Sequence, residues 1–231
     1  MSPTLAKLGW GILFAAHKSE SNVIQPEQSR ASETDEVERS AASSHKGGNI
    51  KSMEHNLQDT IALLTRTPAA LDALLRDLPE TWTHRNEGEN TWSPFEIVGH
   101  LIHGEHTDWI PRTRIILRFG ESKPFEPFDR EGFKRATQNR SLGQLLDEFA
   151  RLRSENLDQL RSFNLQTQDL ERRGQHPTLG VVTLSELLAT WAAHDLTHLH
   201  QLSRVMAHQY GDAVGPWIKF MGVFKCNGHS S

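Results

Sequence analysis

The stretch "WAAHDLTHLHQLSRVMAHQY", residues 191–210, carries four of the chain's 13 histidines. Two of them, His194 and His198, stand four residues apart. At 100° per residue His198 is rotated about 40° from His194, with Trp191 about 60° to one side and Leu202 about 40° beyond. The pair therefore shares the apolar stripe of a helix. Asp195 falls about 100° from His194, at the stripe's margin, and His200 about 160° from His198, toward water. A buried imidazole needs partners for its nitrogens, because an unsatisfied buried polar group costs about 1–3 kcal/mol. Hydrogen-bonded core histidines meet that need. One divalent ion also meets it, by accepting a lone pair from each ring. Two ligands fall short of a usual zinc site, so a third decides between these readings.

The stretch "WSPFEIVGHLIHGEH" offers the third. His100 follows Ile97 by three and precedes Leu101, close to an apolar face. His103 is rotated about 60° from it, and His106 about 120°, toward the outside. His100, His194 and His198 would present three nitrogens across a helical interior and leave a coordination position open, as catalytic metal sites do. Two carboxylates are candidates for catalytic work, Asp195 beside His194 and Glu96 one turn before His100. Glu96 also has a plainer role in helix capping. "HDLTH" places an acid after its first histidine as H-E-x-x-H proteases do, but Asp is one methylene shorter and no other metalloprotease feature accompanies it.

Helices must position these rings. Leu57, Ile61, Leu64, Leu71, Leu74, Leu75 and Leu78 recur at helical spacing. Thr67 as a cap before Pro68 predicts a kink or restart there. A second helix opens at "SPFE", with Ser93 and Glu96 as a capping box, and should end or bend near Pro111. A third runs from Ser141 with Gln144 as its box partner, and a fourth from Thr183 with Glu186. Strand signals are nearly absent, "GVV" at 180–182 being the best. Four amphipathic helices with few strands predict an all-α four-helix bundle. Residues 119–140 are long for a bundle connection, and a crossover explains them. Trp109 and Trp191 read as core, and "RTRIILR" at 112–118 as a solvated face.

The chain has 231 residues and a net charge of -4. That balance, with no basic stripe, argues against nucleic acid. No apolar run is long enough to span a bilayer. Cys226 is the single cysteine, which excludes an internal disulfide and suits a cytoplasmic protein. Residues 1–52 are rich in Ser, Glu, Lys and Gln and read as a disordered extension. "KLGWGILFAA" within them is a poor signal-peptide core, being short, glycine-containing and without a clear cleavage site. Met53 begins the patterned chain, residues 53–231, and reads as an alternative start.

"TWSPFEIVGHLIHGE", the stretch from His176 through Tyr210, and "VGPWIKFMGVF" together resemble the DinB-like superfamily over roughly residues 55–225. The shared pattern is Trp-[Ser/Thr]-x-x-[Glu/Gln]-[Ile/Leu]-x-x-His opening helix two, then His-x-x-x-His in the last bundle helix. The resemblance implies His100, His194 and His198 as a metal triad, and it carries over none of His103, His106 and His200. It further implies an up-up-down-down bundle, a divalent metal such as zinc or nickel, and often a homodimer. Bacillithiol S-transferases and a mycothiol-dependent maleylpyruvate isomerase belong to that superfamily. The implied chemistry is therefore transfer of a low-molecular-weight thiol to a small electrophile. The alternative is a non-catalytic, metal-stabilised or stress-related bundle.

Overall fold

A computed structural model describes residues 53–226. The expectations of a disordered extension over residues 1–52 and of a start at Met53 concern residues outside those described.

Each bundle helix begins where its cap dictates. The first is split into α1 (Leu57–Leu64) and α2 (Thr67–Leu75). Pro68 lies in the first turn of α2, where its missing N–H costs nothing. Thr67 does not cap that turn. Its hydroxyl instead donates to Asp195 Oδ2 at 2.5 Å. A one-turn helix α3 (Glu80–Thr83) follows. The second bundle helix is α4 (Pro94–Thr107) continued by α5 (Trp109–Phe119), broken at Asp108. Pro111 sits in the first turn of α5, so the break comes three residues before it, where its absent N–H would have closed a turn. A short α6 (Phe133–Thr137) lies in the connection to α7 (Leu142–Ser162), the third bundle helix. After α8 (Thr167–Leu170), strands β1 (Arg173–His176) and β2 (Gly180–Thr183) pair antiparallel, Gly174 opposite Val182. The fourth bundle helix, α9 (Leu184–His208), follows directly. Ser93 with Glu96, Ser141 with Gln144, and Thr183 with Glu186 all form reciprocal capping boxes.

Cross-helix hydrogen bonds set the directions. Arg76 reaches Asp147 at 2.6 Å while Arg153 reaches the Leu64 carbonyl at 2.9 Å, so the first and third helices are antiparallel. His55 meets Ser185 and Thr67 meets Asp195, so the first and fourth run together. Arg153 bonds Glu105 and Arg114 bonds Gln159, so the second and third run together. His100 meets His194 and Trp191 meets Glu105, so the second and fourth oppose. The order is up, down, down, up, which corrects the up-up-down-down order the resemblance implied. The physical reason is the position of the crossover. Parallel second and third helices require the chain to return along the bundle, and residues 120–141 do so. The crossover packs closely on α4. A Cβ on Gly99 would lie 2.3 Å from Thr137 Cγ2, and one on Gly132 2.2 Å from the His103 ring.

The interior has three levels. One apolar cluster contains Ile61, Leu64, Trp109, Ile116, Leu160 and Leu188, and another contains Leu71, Ile97, Leu101, Leu145, Phe149 and Leu202. Each large apolar side chain so buried contributes about 1.5–3 kcal/mol relative to exposure. Beside and between these clusters each of the four helices carries buried polar residues: Thr67, His100 and Glu105, Arg153 and Asn156, and Asp195 and His198. No helix among the described residues is long and apolar enough to cross a membrane.

Candidate metal centre

The polar level has two halves. On one side the three imidazoles converge. His100 Nε2 lies 3.1 Å from His194 Nε2, which lies 3.0 Å from His198 Nε2. His100 and His198 are buried and His194 nearly so. In a tetrahedral site with Zn–N near 2.0–2.1 Å, ligand nitrogens stand about 3.3 Å apart. These two separations match that spacing within a few tenths of an ångström, and one nitrogen from each ring lies within 4.8 Å of the others. His198 Nδ1 meets Gln201 Oε1 at 2.8 Å. Donation of the Nδ1 proton to that amide oxygen leaves the Nε2 lone pair directed at the cluster.

Burial drives the imidazoles toward neutrality. Desolvation, then His198, His103 and Arg130, lower the His100 pKa to about 3. Desolvation, then His198, His100 and Arg153, lower that of His194 to about 2. His198 is lowered by burial, which Gln201 and Asp195 only partly oppose. All three rings are thus neutral donors at pH 7, as metal ligation requires. A stability consequence follows for the metal-free protein. Below pH 6.5 the unfolded chain takes up protons that these folded imidazoles refuse until about pH 3 and 2, so stability must fall as the pH falls through that window. Urea unfolding of metal-free protein at pH 7 and pH 5 should show the loss. A His100→Gln, His194→Gln double variant should show a smaller one, and an equal loss in both would refute the assignment.

On the other side of the polar level, Arg153 holds two carboxylates. Its Nη1 donates to Asp195 Oδ2 at 2.6 Å and its Nη2 to Glu105 Oε1 at 2.8 Å. Trp191 Nε1 donates to the same Glu105 oxygen at 3.1 Å, and Asn156 Nδ2 to the other at 2.9 Å. Asp195 is 2% exposed, so it lies inside the bundle and not at its margin. Its oxygens bind Arg153 and Thr67, not the imidazoles. Glu96 is likewise spent elsewhere, accepting from the Ser93 backbone N–H and hydroxyl, both at 2.8 Å. The structure brings His100, His194 and His198 together and gives both candidate carboxylates architectural roles. His103 is buried under the crossover and His200 is exposed.

The triad lies on a cavity of about 410 Å³, within the range of small-molecule sites. Trp92 packs on His100 at 4.7 Å between ring centroids, and Trp109 packs on His194 at 5.2 Å. Trp109 also stacks on the fully buried Trp191, so the core role expected of Trp109 is joined by a wall role. Phe125 and Phe128 of the crossover close one side, and His176, Leu179 and Val182 of the hairpin another. Two polar residues of the wall, Asp108 and Arg112, were not expected there. Asp108 and Arg112 form an ion pair, Nε to Oδ1 at 2.5 Å, with both side chains about nine-tenths buried. Burial raises the Asp108 carboxyl to about 6 against the pull of Arg112. Arg112 thus departs from the solvated face expected of "RTRIILR", while Arg114 and Arg118 are exposed. Their signal was the i, i+4 spacing of Asp108 and Arg112, which ordinary surface pairs share.

A family profile described as the DinB superfamily matches residues 63–202, a span that includes all three histidines. The chain belongs to the DinB superfamily. Among solved structures, YfiT from Bacillus subtilis is described as "a probable metal-dependent hydrolase with an unusual four-helix bundle topology". It is 20% identical, with a TM-score of 0.58, over 71% of this chain and 95% of YfiT. At that identity the likeness concerns the fold. TT2238, described as a four-helix bundle protein, is also 20% identical, with a TM-score of 0.42, over 64% of this chain and 98% of its own. No curated protein sequence matches the chain. As a DinB superfamily member the chain has the four-helix bundle and, at its centre, a three-histidine cluster suited to a divalent metal.

Proposed function

We propose that this protein is a metal-dependent enzyme that transfers a low-molecular-weight thiol to a small electrophile, with His100, His194 and His198 as ligands of one divalent ion, zinc or nickel. A divalent ion held there would act as a Lewis acid and lower the pKa of a thiol or water that reached it. YfiT's description as metal-dependent supports the metal part of the reading.

The observation that favours a thiol over water is the make-up of the cavity wall. Hydrolysis of a stable bond generally calls for a carboxylate or imidazole base beside the activated water. The wall holds two carboxylates and, apart from the triad, the His176 imidazole, whose Nδ1 accepts from the Thr178 and Leu179 backbone N–H groups. Asp108 is paired with Arg112, and Glu186 caps α9. A thiol that has lost its proton needs no such base to attack a soft electrophile. Trp92, Trp109 and Phe128 would exclude water from that thiolate and hold the electrophile against it, while Gln201 fixes the His198 tautomer.

The test is a conjugation assay. Zinc- or nickel-loaded protein is mixed with cysteine, N-acetylcysteine or glutathione and with 1-chloro-2,4-dinitrobenzene or monobromobimane. The loaded protein should conjugate at least one thiol more than about tenfold faster than metal-free protein or the His198→Ala variant, given the 10²–10⁴-fold range of such catalytic contributions. Rates equal to background in all three would reject thiol transfer and leave a metal that only stabilises the bundle. Hydrolysis of 4-nitrophenyl acetate, measured in parallel without thiol, should stay at background.

A further inference from the structure

The triad occupies one part of the cavity, and a second set of groups faces the same space. Arg112 stands one helical turn beyond Trp109 on α5, about 4.5 Å further along the axis. It is 8% exposed, and its guanidinium lies over the Phe125 ring at 5.2 Å. Among the described residues Asp108 is the one side chain that forms an ion pair with it, through Nε. Guanidinium has five N–H donors, and Arg112 lines the cavity. Arg130, exposed on the crossover, lines the same cavity. The wall therefore holds two guanidiniums beside two carboxylates: Asp108, paired with Arg112, and Glu186, whose Oε2 is engaged by the Thr183 cap. The remaining wall is largely aromatic and aliphatic. His176, a further titratable group on this side, is lowered by burial and then by Arg112.

A charged group this buried is costly to leave with unpaired donors, and a planar fork pairs best with a carboxylate. An aromatic or aliphatic body beside such a fork describes one class of molecule. We propose that Arg112, assisted by Arg130, forms a carboxylate-binding subsite that selects small apolar carboxylic acids as the substrates of this cavity. The inference deepens the proposed function by naming a substrate class. It rests on that reading only in taking this cavity as the substrate's.

Calorimetric titration of 2-naphthoate and its neutral isostere 2-naphthamide into metal-free protein tests the subsite without any contribution from an ion or from turnover. Wild type should bind naphthoate at least about tenfold tighter than naphthamide, as expected for one bidentate charged contact. Arg112→Gln should abolish that preference and leave naphthamide binding in place. Arg130→Gln, at an exposed position, should reduce it. Circular dichroism checks that each variant is folded. Equal binding of the two probes by wild type overturns the proposal, whether or not Arg112→Gln folds. An unchanged preference in both variants overturns it as well. Because the protein is metal-free, a failed conjugation assay with a positive titration rejects thiol transfer and retains the subsite, while the converse rejects the subsite alone.

Discussion

Replacing His194 by alanine should abolish stoichiometric metal binding. Its Nε2 is the middle atom of the cluster, 3.1 Å from that of His100 and 3.0 Å from that of His198. Removal leaves two nitrogens and brings the set below the three protein ligands of a catalytic site. Loss of a partner one step removed from a metal costs about 10–100-fold in affinity, so loss of a central ligand should cost more than about 100-fold. Gln201→Ala should fall in the lower range, since it frees the His198 tautomer and leaves all three nitrogens present. Glu96→Gln should change nothing, because glutamine also completes a capping box with Ser93. Elemental analysis of untagged, dialysed protein and competition with a chromophoric chelator give the comparison. Full metal content in His194→Ala would reject the site.

The reach of the sequence differed between local and long-range features. The three capping boxes, Ser93 with Glu96, Ser141 with Gln144 and Thr183 with Glu186, are legible because each depends on four consecutive residues. The inward faces of His100, His194 and His198 follow from periodicity alone. Direction is another matter. Whether two helices run together depends on where a crossover leads, and residues 120–141 have no local pattern that states it. Asp195 looked marginal because its partners are remote: Thr67 is 128 positions away and Arg153 is 42. Arg112 looked solvated because Phe125 of the crossover and the hairpin cover it, and α5 alone does not. Strand β1, "RGQH", has no alternating apolar residues and is held by backbone pairing to β2.

Removing Arg153 should destabilise the protein more than any other single polar change considered. Burial works against the guanidinium's charge, but Glu105 and Asp195 outweigh it and hold its pKa above the ordinary arginine value. All three side chains are essentially without solvent, at 1%, 0% and 3% exposure. Arg153→Met would keep the length of the stem and strand two carboxylates inside the bundle. Breaking a buried pair in this way costs about 3–5 kcal/mol, because the surviving charge has no partner. Asp195→Asn is the instructive contrast. The triplet has one positive and two negative members, so removing one negative leaves a balanced Arg153–Glu105 pair, and the amide oxygen still accepts from Thr67 or Arg153. Its cost should be clearly smaller. It should also leave metal content intact, because Asp195 is bonded to Arg153 and Thr67 and not to the imidazoles. What the triplet supplies to the site is register: it ties α9 to α1–α2, α4 and α7 beside the level at which His194 and His198 face His100. Urea unfolding of the two variants at pH 7, with elemental analysis of each, separates these effects. An Arg153→Met protein within about 1 kcal/mol of wild type, or an Asp195→Asn protein that folds but loses its metal, would overturn this division between the structural and the metal-facing halves of the polar level.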